Sequence, residues 1–376
     1  MKKIVIILML LLSMFFITIP AGAQELSVSA KSAIVICADT KDIVFSKNIN
    51  TKLSMASTTK IMTGLILAEQ KDLTKTVTVS DKMVAVEGSS MGLRAGDVIT
   101  YLDLLYGLML ASGNDAANTI AVTLGGSIEG FAKLMNNKAK EIGLKNTNFV
   151  TPSGLDHEQH YTTAYDLAVL TAYALENKVF SEVCSTYIKT ISFGNPKTEH
   201  TYKNHNRLLN SYNGMIGVKT GFTKKSGRCL VTAAQRNGIT LNSVTLSAPD
   251  DWNDHENMLN FAFEKVEKLS VKANIPESLP VISGDCDRVK ISAASKSFAL
   301  CEENLNKIKM QVFLPKFLYS EISAGEKIGC VLYYLNGKCI GNTNIISVAD
   351  VNLKNNKPSF GCLFKENLLK LLRLVI

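Results

Sequence analysis

No Cys-x-x-Cys pair occurs among the eight cysteines, so the spacing that a zinc or dithiol redox site uses is missing. There is no His-Glu-x-x-His, and with five histidines in all the only close pair is His157 and His160, flanked by Asp156 and Glu158. That group invites a metal reading, but a cleft-lining loop explains it as well, and no metal or cofactor is expected. No basic cluster with interleaved aromatics appears, which argues against nucleic acid as a partner. The net charge of +8 is mild; it suits an anionic cell surface and is also ordinary for a soluble domain. Four of the five cysteines in the last third, Cys286, Cys301, Cys330 and Cys339, could be oxidised into two bridges in an exported chain. Buried free thiols are the plainer reading, since Cys37, Cys229 and Cys330 sit in apolar, strand-like runs.

At 376 residues the chain can hold a large core and two domains. It opens with Lys2-Lys3, a nearly unbroken apolar run from Ile4 to Ile19 and the small residues Ala21-Gly22-Ala23. This pattern predicts an export signal over 1–23, cut after Ala23, with an uncleaved anchor helix as the alternative. Residues 32–38 and 42–46 then read as a strand hairpin, and residues 101–110, 115–124, 128–142 and 165–175 as helices. From Ser211 the period changes to that of strands, at 214–221, 228–234 and 240–246, with a closing helix from about Asn253 to Lys268. Two strands early and three late predict an α+β domain over 24–270: one antiparallel five-stranded sheet interrupted by a helical insertion. Residues 271–355 lack long helical periods and read as a small β-rich domain. In 356–376 the character changes again. Between Ser359 and Ile376 the apolar residues Phe360, Phe364, Leu368, Leu371, Leu372, Val375 and Ile376 share one helical face, and Lys365, Glu366, Lys370 and Arg373 the other. With four charges it makes a poor span but a good interfacial helix, so 359–376 is expected to lie on a membrane surface; packing on its own domain is the alternative.

The chemistry is concentrated in Ser57-Thr58-Thr59-Lys60, at the head of the apolar stretch Ile61 to Ala68. A helix opening at or just before Ser57 puts Ser57 and Lys60 on one face. An amine within reach of the hydroxyl can take its proton if burial keeps that amine partly neutral. The helix start adds N–H groups and partial positive charge that favour an oxyanion. Taken alone the pattern is common, usually a capping serine with a solvated lysine. Two further elements give it weight: Ser112-Gly113-Asn114, at a bend between two helices, and Lys219-Thr220-Gly221, on a strand. Together they outline a cleft in which a peptide lying along the strand would present a negative end group to Lys219 and Thr220. That asks for a C-terminal carboxylate.

This set resembles the serine-type D-alanyl-D-alanine carboxypeptidases, the low-molecular-mass penicillin-binding proteins of bacterial cell-wall metabolism. The likeness extends to Lys31-Ser32-Ala33, the segment from Met91 to Asp97, Ala111 to Ala117, and Lys219 to Thr223 with Gly227. It also takes in the signal, the β-rich second domain and the amphipathic tail. The resemblance implies a penicillin-binding-protein-like, β-lactamase-like catalytic fold, with peptidoglycan stem peptides as substrates and β-lactam antibiotics as acylating inhibitors. It implies that Ser57 attacks, Lys60 is the base, Ser112 relays a proton to the leaving amine and Asn114 holds the substrate amide or Lys60. Lys219 would supply charge and Thr220 would bind the carboxylate, while Gly221 and Phe222 continue the substrate-binding strand, the Phe222 and Ser57 N–H groups forming the oxyanion hole. Two departures stand out. Phe222 takes a place where some relatives have histidine, and Asp250 to His255 lacks an arginine that some relatives carry near the cleft. The expected location is the outer face of the cytoplasmic membrane.

Three rivals share these motifs. A class A β-lactamase would add a water-activating glutamate; the nearest candidate, Glu141 in Glu141-Ile142-Gly143-Leu144-Lys145, has Lys145 where asparagine is required. An idle cell-wall binding or sensor protein would be expected to have lost one of Ser57, Lys60, Ser112, Asn114 or Lys219. A transpeptidase or endopeptidase differs only in the acceptor or bond, which these motifs do not encode.

Overall fold

The computed structural model describes residues 26–354, so the expected signal at 1–23 and the tail at 356–376 lie outside the described residues. The chain forms two compact units. Among the described residues the first comprises 26–35, Phe45–Ala233 and Ser243–Glu264; the second comprises Ile36–Val44, Ala234–Asn242 and 265–354.

A sheet of five strands organises the site: β1 (Ser32–Cys37), β2 (Ile43–Lys47), β3 (Met215–Thr223), β4 (Gly227–Arg236) and β5 (Ile239–Leu246), in the order β2-β1-β5-β4-β3. These are the five strands the sequence predicts, and β3, which carries Lys219 and Thr220, is an edge. All of β1 is buried, as is Cys229 to Ala234 within β4. Continuous apolar runs of this kind mark a sheet covered on both faces. The β4–β5 turn at Asn237-Gly238 has positive φ at both residues, 51° and 73°, the conformation that a two-residue hairpin loop of this type requires.

Between β2 and β3 lie the helices α1 (Lys60–Ala68), α2 (Tyr101–Leu110), α3 (Asn114–Gly125), α4 (Ile128–Ile142), α5 (Ala164–Ala174) and α6 (Lys178–Ser185). Their ends follow from local chemistry. Thr100, Ser127, Thr163 and Asn177 each accept a backbone N–H from the first turn of α2, α4, α5 and α6 respectively, and Gly143 closes α4 at φ 87°. α4 buries only Phe131, Met135 and Ala139, a stripe at four-residue spacing, whereas every residue of α1 is buried. A helix buried all round belongs to the core. Gly64 allows α1 its close packing: a Cβ there would lie 3.0 Å from the Phe180 ring and 3.2 Å from Leu105.

Helix α6 (Lys178–Ser185) has no counterpart among the elements expected from the sequence, and the structure departs from expectation in two further places. The closing helix α7 (Asp251–Lys265) ends before Lys268, because Val266–Val271 is drawn into a strand paired antiparallel with Lys296–Cys301. Residues 188–203, for which the sequence predicted no element, form a hairpin of Ile188–Gly194 and Lys197–Lys203. Its second strand, Lys-Thr-Glu-His-Thr-Tyr-Lys, is mostly exposed and shows little apolar alternation.

In the second unit a six-stranded sheet holds a core centred on Phe298 and Tyr333, whose rings meet edge-on at 5.2 Å. Asp42, buried in this unit, accepts hydrogen bonds from Cys301 N and Asn304 Nδ2. Cys37, Cys184, Cys229 and Cys301 are buried, Cys286 and Cys339 exposed, and all are free thiols. Among the described residues no helix is long and apolar enough to cross a membrane.

Phe180 is fully buried beneath the face of α1 that Gly64 opens. Phe180→Ala is expected to cost about 3–5 kcal/mol, read as a lowered midpoint in urea denaturation of the first unit.

Candidate active site

Ser57 lies in a single 3₁₀ turn, Ala56–Thr59, that leads directly into α1. In such a turn residues three apart eclipse, so Ser57 and Lys60 stack more directly than a regular α-turn would place them. The turn is braced by its own side chains: Thr58 Oγ1 donates to Met55 O at 2.6 Å and Thr59 Oγ1 to Ala56 O at 2.8 Å. Ala56 sits at φ 46°, a conformation that costs a non-glycine residue on the order of 1 kcal/mol. Gly154 supports it from below, where a Cβ would fall 1.8 Å from Ala56 O.

His160 completes this brace. Its Nδ1 accepts from Val150 N at 3.0 Å, which leaves Nε2 to carry the proton and donate to Thr59 Oγ1 at 2.8 Å. Burial pushes its pKa down to about 4, so the ring is neutral at working pH. His157 is exposed and accepts from Gln159 N. The pair that suggested a metal site is thus one structural strut and one surface residue.

Lys60 is fully buried, and its Nζ lies 3.0 Å from Ser57 Oγ, 2.7 Å from Asn114 Oδ1 and 2.8 Å from Ser153 O. The orientation of Asn114 is fixed by its other end, because Nδ2 donates to Glu87 O, which can only accept. Two of the three partners of Lys60 are therefore obligate acceptors. A neutral amine has two N–H donors and one lone pair; the two acceptors take the donors, and the lone pair is left for the Ser57 hydroxyl proton. Burial, and next the cation of Lys219, hold Lys60 well below the ordinary lysine range, with Asp115 opposing. Burial favours the neutral amine, and the geometry then leaves its lone pair facing the Ser57 hydroxyl.

Asp115 has a second task. Its buried carboxylate accepts from Met91 N, Gly92 N, Leu93 N and the Ser90 hydroxyl, pinning the glycine-rich segment beside the start of α3. Ser112 stands one residue before the Gly113 N-cap, at φ 57°. The bend expected between α2 and α3 is there, and it delivers Ser112 to the cleft wall and Asn114 to Lys60.

Across from these, Gly221 of β3 packs on the turn itself, where a Cβ would lie 2.9 Å from Ser57 N. Ser57, Ser112, Thr220, Gly221 and Phe222 line one cleft of about 330 Å³. Lys60, Asn114 and Lys219 lie behind it, all buried. Lys219 Nζ donates to Thr220 O at 2.9 Å, and burial pushes its pKa down to about 7. The far end of the cleft is formed by His205, Arg228, Asp251 and Trp252, of which the sequence marked none as functional. The Ser153 and Glu87 carbonyls were also out of reach, since a backbone acceptor leaves no mark in a sequence. Glu141 is 59% exposed on α4, in an ion pair with Lys138 at 3.0 Å.

Known proteins match this architecture. The family described as D-alanyl-D-alanine carboxypeptidase matches residues 19–250, and the C-terminal domain of penicillin-binding protein 5 matches residues 263–353. The D-alanyl-D-alanine carboxypeptidase DacF of Bacillus subtilis is 32% identical over 341 residues, covering 87% of this chain and 87% of that protein. DacC of Escherichia coli, of the same description, is 33% identical across 86% of this chain and 85% of its own length. Among solved structures, penicillin-binding protein 5 of Haemophilus influenzae superposes with a TM-score of 0.68 at 26% identity, covering 88% of this chain and all of that one. The Streptomyces K15 DD-transpeptidase gives 0.61 at 33% identity, covering 63% of this chain and 98% of its own. The α+β catalytic fold and β-rich second domain expected from the sequence are those of these relatives.

The electrostatics predict a bell-shaped pH profile for acylation of Ser57. The rate rises with pH as Lys60 loses its proton, and kcat/KM falls above about pH 7 as Lys219 in the free protein loses its charge. Lys219→Gln removes the cation that depresses Lys60, so the acid limb should move to higher pH and the alkaline limb should disappear. Rates of penicillin acylation measured from pH 5 to 10 would show both changes.

Proposed function

The chain belongs to the D-alanyl-D-alanine carboxypeptidase family of serine peptidases, and we propose that it trims the terminal D-alanine from peptidoglycan stem pentapeptides through an acyl-enzyme on Ser57. The observation that carries this reading is the contact of Lys60 Nζ with Ser57 Oγ, its other two partners being fixed acceptors. On this reading Lys60 takes the hydroxyl proton as Ser57 attacks the carbonyl between the two D-alanines. The oxyanion forms against the Ser57 and Phe222 N–H groups, Gly221 allowing the strand to approach the turn. Ser112, on the cleft wall, passes a proton to the departing D-alanine amine, and Asn114 keeps Lys60 oriented. Thr220 meets the substrate carboxylate, and Lys219 adds positive charge from behind. Water then releases the shortened peptide.

A β-lactam presents a strained carbonyl and a carboxylate in the same relation, so penicillin acylates Ser57 and stays. The exposed, ion-paired Glu141 is poorly suited to be the deacylating base of a lactamase. Export rests on the signal pattern at 1–23, and attachment to the outer face of the membrane on the amphipathic segment 359–376.

Mass spectrometry of the protein incubated with diacetyl-Lys-D-Ala-D-Ala should show loss of one D-alanine, and with penicillin a long-lived adduct on Ser57. Lys60→Ala should lower both by at least about a thousandfold while keeping the fold. Rapid penicillin hydrolysis without peptide cleavage would instead indicate a lactamase. Removal of residues 359–376 should release the signal-processed protein from membranes and leave its activity on the soluble peptide unchanged; retention in the membrane fraction would refute the role of the tail.

A further inference from the structure

The six-stranded sheet of the second unit ends at the edge strand Leu318–Tyr319, which pairs in parallel with Ser278–Ile282. Strand period sorts the two register pairs. Val281 and Leu318 turn to the core, while Ile282 and Tyr319, one residue on, turn outward. Phe317 joins them, its ring meeting that of Tyr319 edge-on at 5.4 Å. The last described residues lie alongside: Leu353 bridges Gly284, and Ser283 O accepts from both Ser320 Oγ at 2.8 Å and Lys354 N at 2.9 Å. Ile282, Phe317, Tyr319 and Leu353 are between 41% and 67% exposed. Single exposed apolar residues are ordinary, but four on segments tied at one point form a patch, and such a patch marks a contact surface.

We propose that this patch is a second membrane contact, resting in the boundary between headgroups and acyl chains of the bilayer to which residues 359–376 attach the protein. This rests on the membrane reading of 359–376 above. The patch sits where the chain leaves the described residues: Lys354 is five residues from Ser359, which at full extension keeps the two within ~17 Å. Its composition fits that boundary. Aromatic rings gather at membrane interfaces, and the Tyr319 hydroxyl can stay among headgroups while its ring, with Phe317, Ile282 and Leu353, reaches the acyl chains. Lys316 and Lys354 stand within three residues of the patch, and so do Asp285 and Glu321, so the attraction comes from apolar area and not from charge. The tail folded back on its own domain is a less suited occupant, because the apolar face of 359–376 carries seven large side chains and the patch offers four. With two contacts the second unit is held at the surface in one orientation, where a tail alone leaves it free to swivel.

The test uses the signal-processed full chain and vesicles of phosphatidylcholine with phosphatidylglycerol, sedimentation giving the fraction bound. Phe317→Ser combined with Tyr319→Ser should weaken binding roughly tenfold, at low and high salt alike, with cleavage of diacetyl-Lys-D-Ala-D-Ala unchanged. Met310→Ser, an exposed position on the strand at the opposite edge of the sheet, should bind as wild type does. In Tyr319→Trp, the emission added over that of Trp252, the only native tryptophan, should be quenched by vesicles with brominated acyl chains. Unchanged binding of the double variant, an equal loss in Met310→Ser, or an added emission that brominated chains do not quench overturns the proposal and leaves the tail as the anchor. An added emission that shifts when 359–376 is removed with no vesicles present puts the tail on the patch and overturns it likewise. Wild-type protein that does not sediment with vesicles overturns both the proposal and the membrane reading of the tail.

Discussion

Everything in this site depends on one buried amine. A lysine with no exposure, within 3.0 Å of a serine hydroxyl, would be a heavy burden if it kept its charge, because its remaining partners are neutral carbonyl oxygens. The neutral amine fits without penalty: two acceptors for two hydrogens, and a lone pair turned to the only partner able to donate. Protonation state, hydrogen-bond direction and nucleophile activation are therefore one constraint. On the proposed reading, the same geometry that makes Lys60 tolerable in the core lets it act as a base.

That constraint explains why so much chain is organised around the turn at Ala56–Thr59. The acceptors come from separated places: Asn114 from the start of α3, Ser153 from the loop before α5, and Glu87, which sets the Asn114 amide, from the segment that Asp115 pins. Positive φ at Ala56 and Ser112 stores a small amount of backbone strain on each side of the cleft. The close approach of Gly154 and Gly221, together with the neutral His160 strut, keeps those conformations in place. Moving any of these by an ångström would redirect the Lys60 lone pair.

The sheet and the helical insertion were legible because their signals are periodic: β1 and β4 are continuous apolar runs, and α4 carries its stripe at four-residue spacing. The residues that meet at the cleft, Ser57, Lys60, Ser112, Asn114, Lys219 and Thr220, stand in three short motifs in order. What the sequence concealed falls into kinds. The acceptors for Lys60 are partly backbone, which has no residue signature. The hairpin at 188–203 is mostly exposed and polar, so period gave no purchase. The α7 boundary moved because Val266–Val271 pairs with Lys296–Cys301, a distant partner that its own order, with Glu267 and Lys268 adjacent, does not announce. His157 and His160 are close in sequence, yet one is buried and one exposed, and spacing alone does not distinguish a strut from a ligand. Arg228 was visible only as a strand residue, since its cleft position follows from the pairing of β4 with an edge strand and from the Asp251 carboxylate at the start of α7.

The central claim is that Lys60 is neutral in the resting protein, and the most direct measurement of it is the titration of lysine labelled with carbon-13 at the ε position, followed by NMR, with the Lys60 signal assigned by its loss in Lys60→Arg. The structure predicts a resonance that titrates well below the ordinary lysine value of 10.5, because burial disfavours the ammonium. A Lys60 signal that stays protonated until the pH approaches that ordinary value would contradict the account, and Ser57 would need another base.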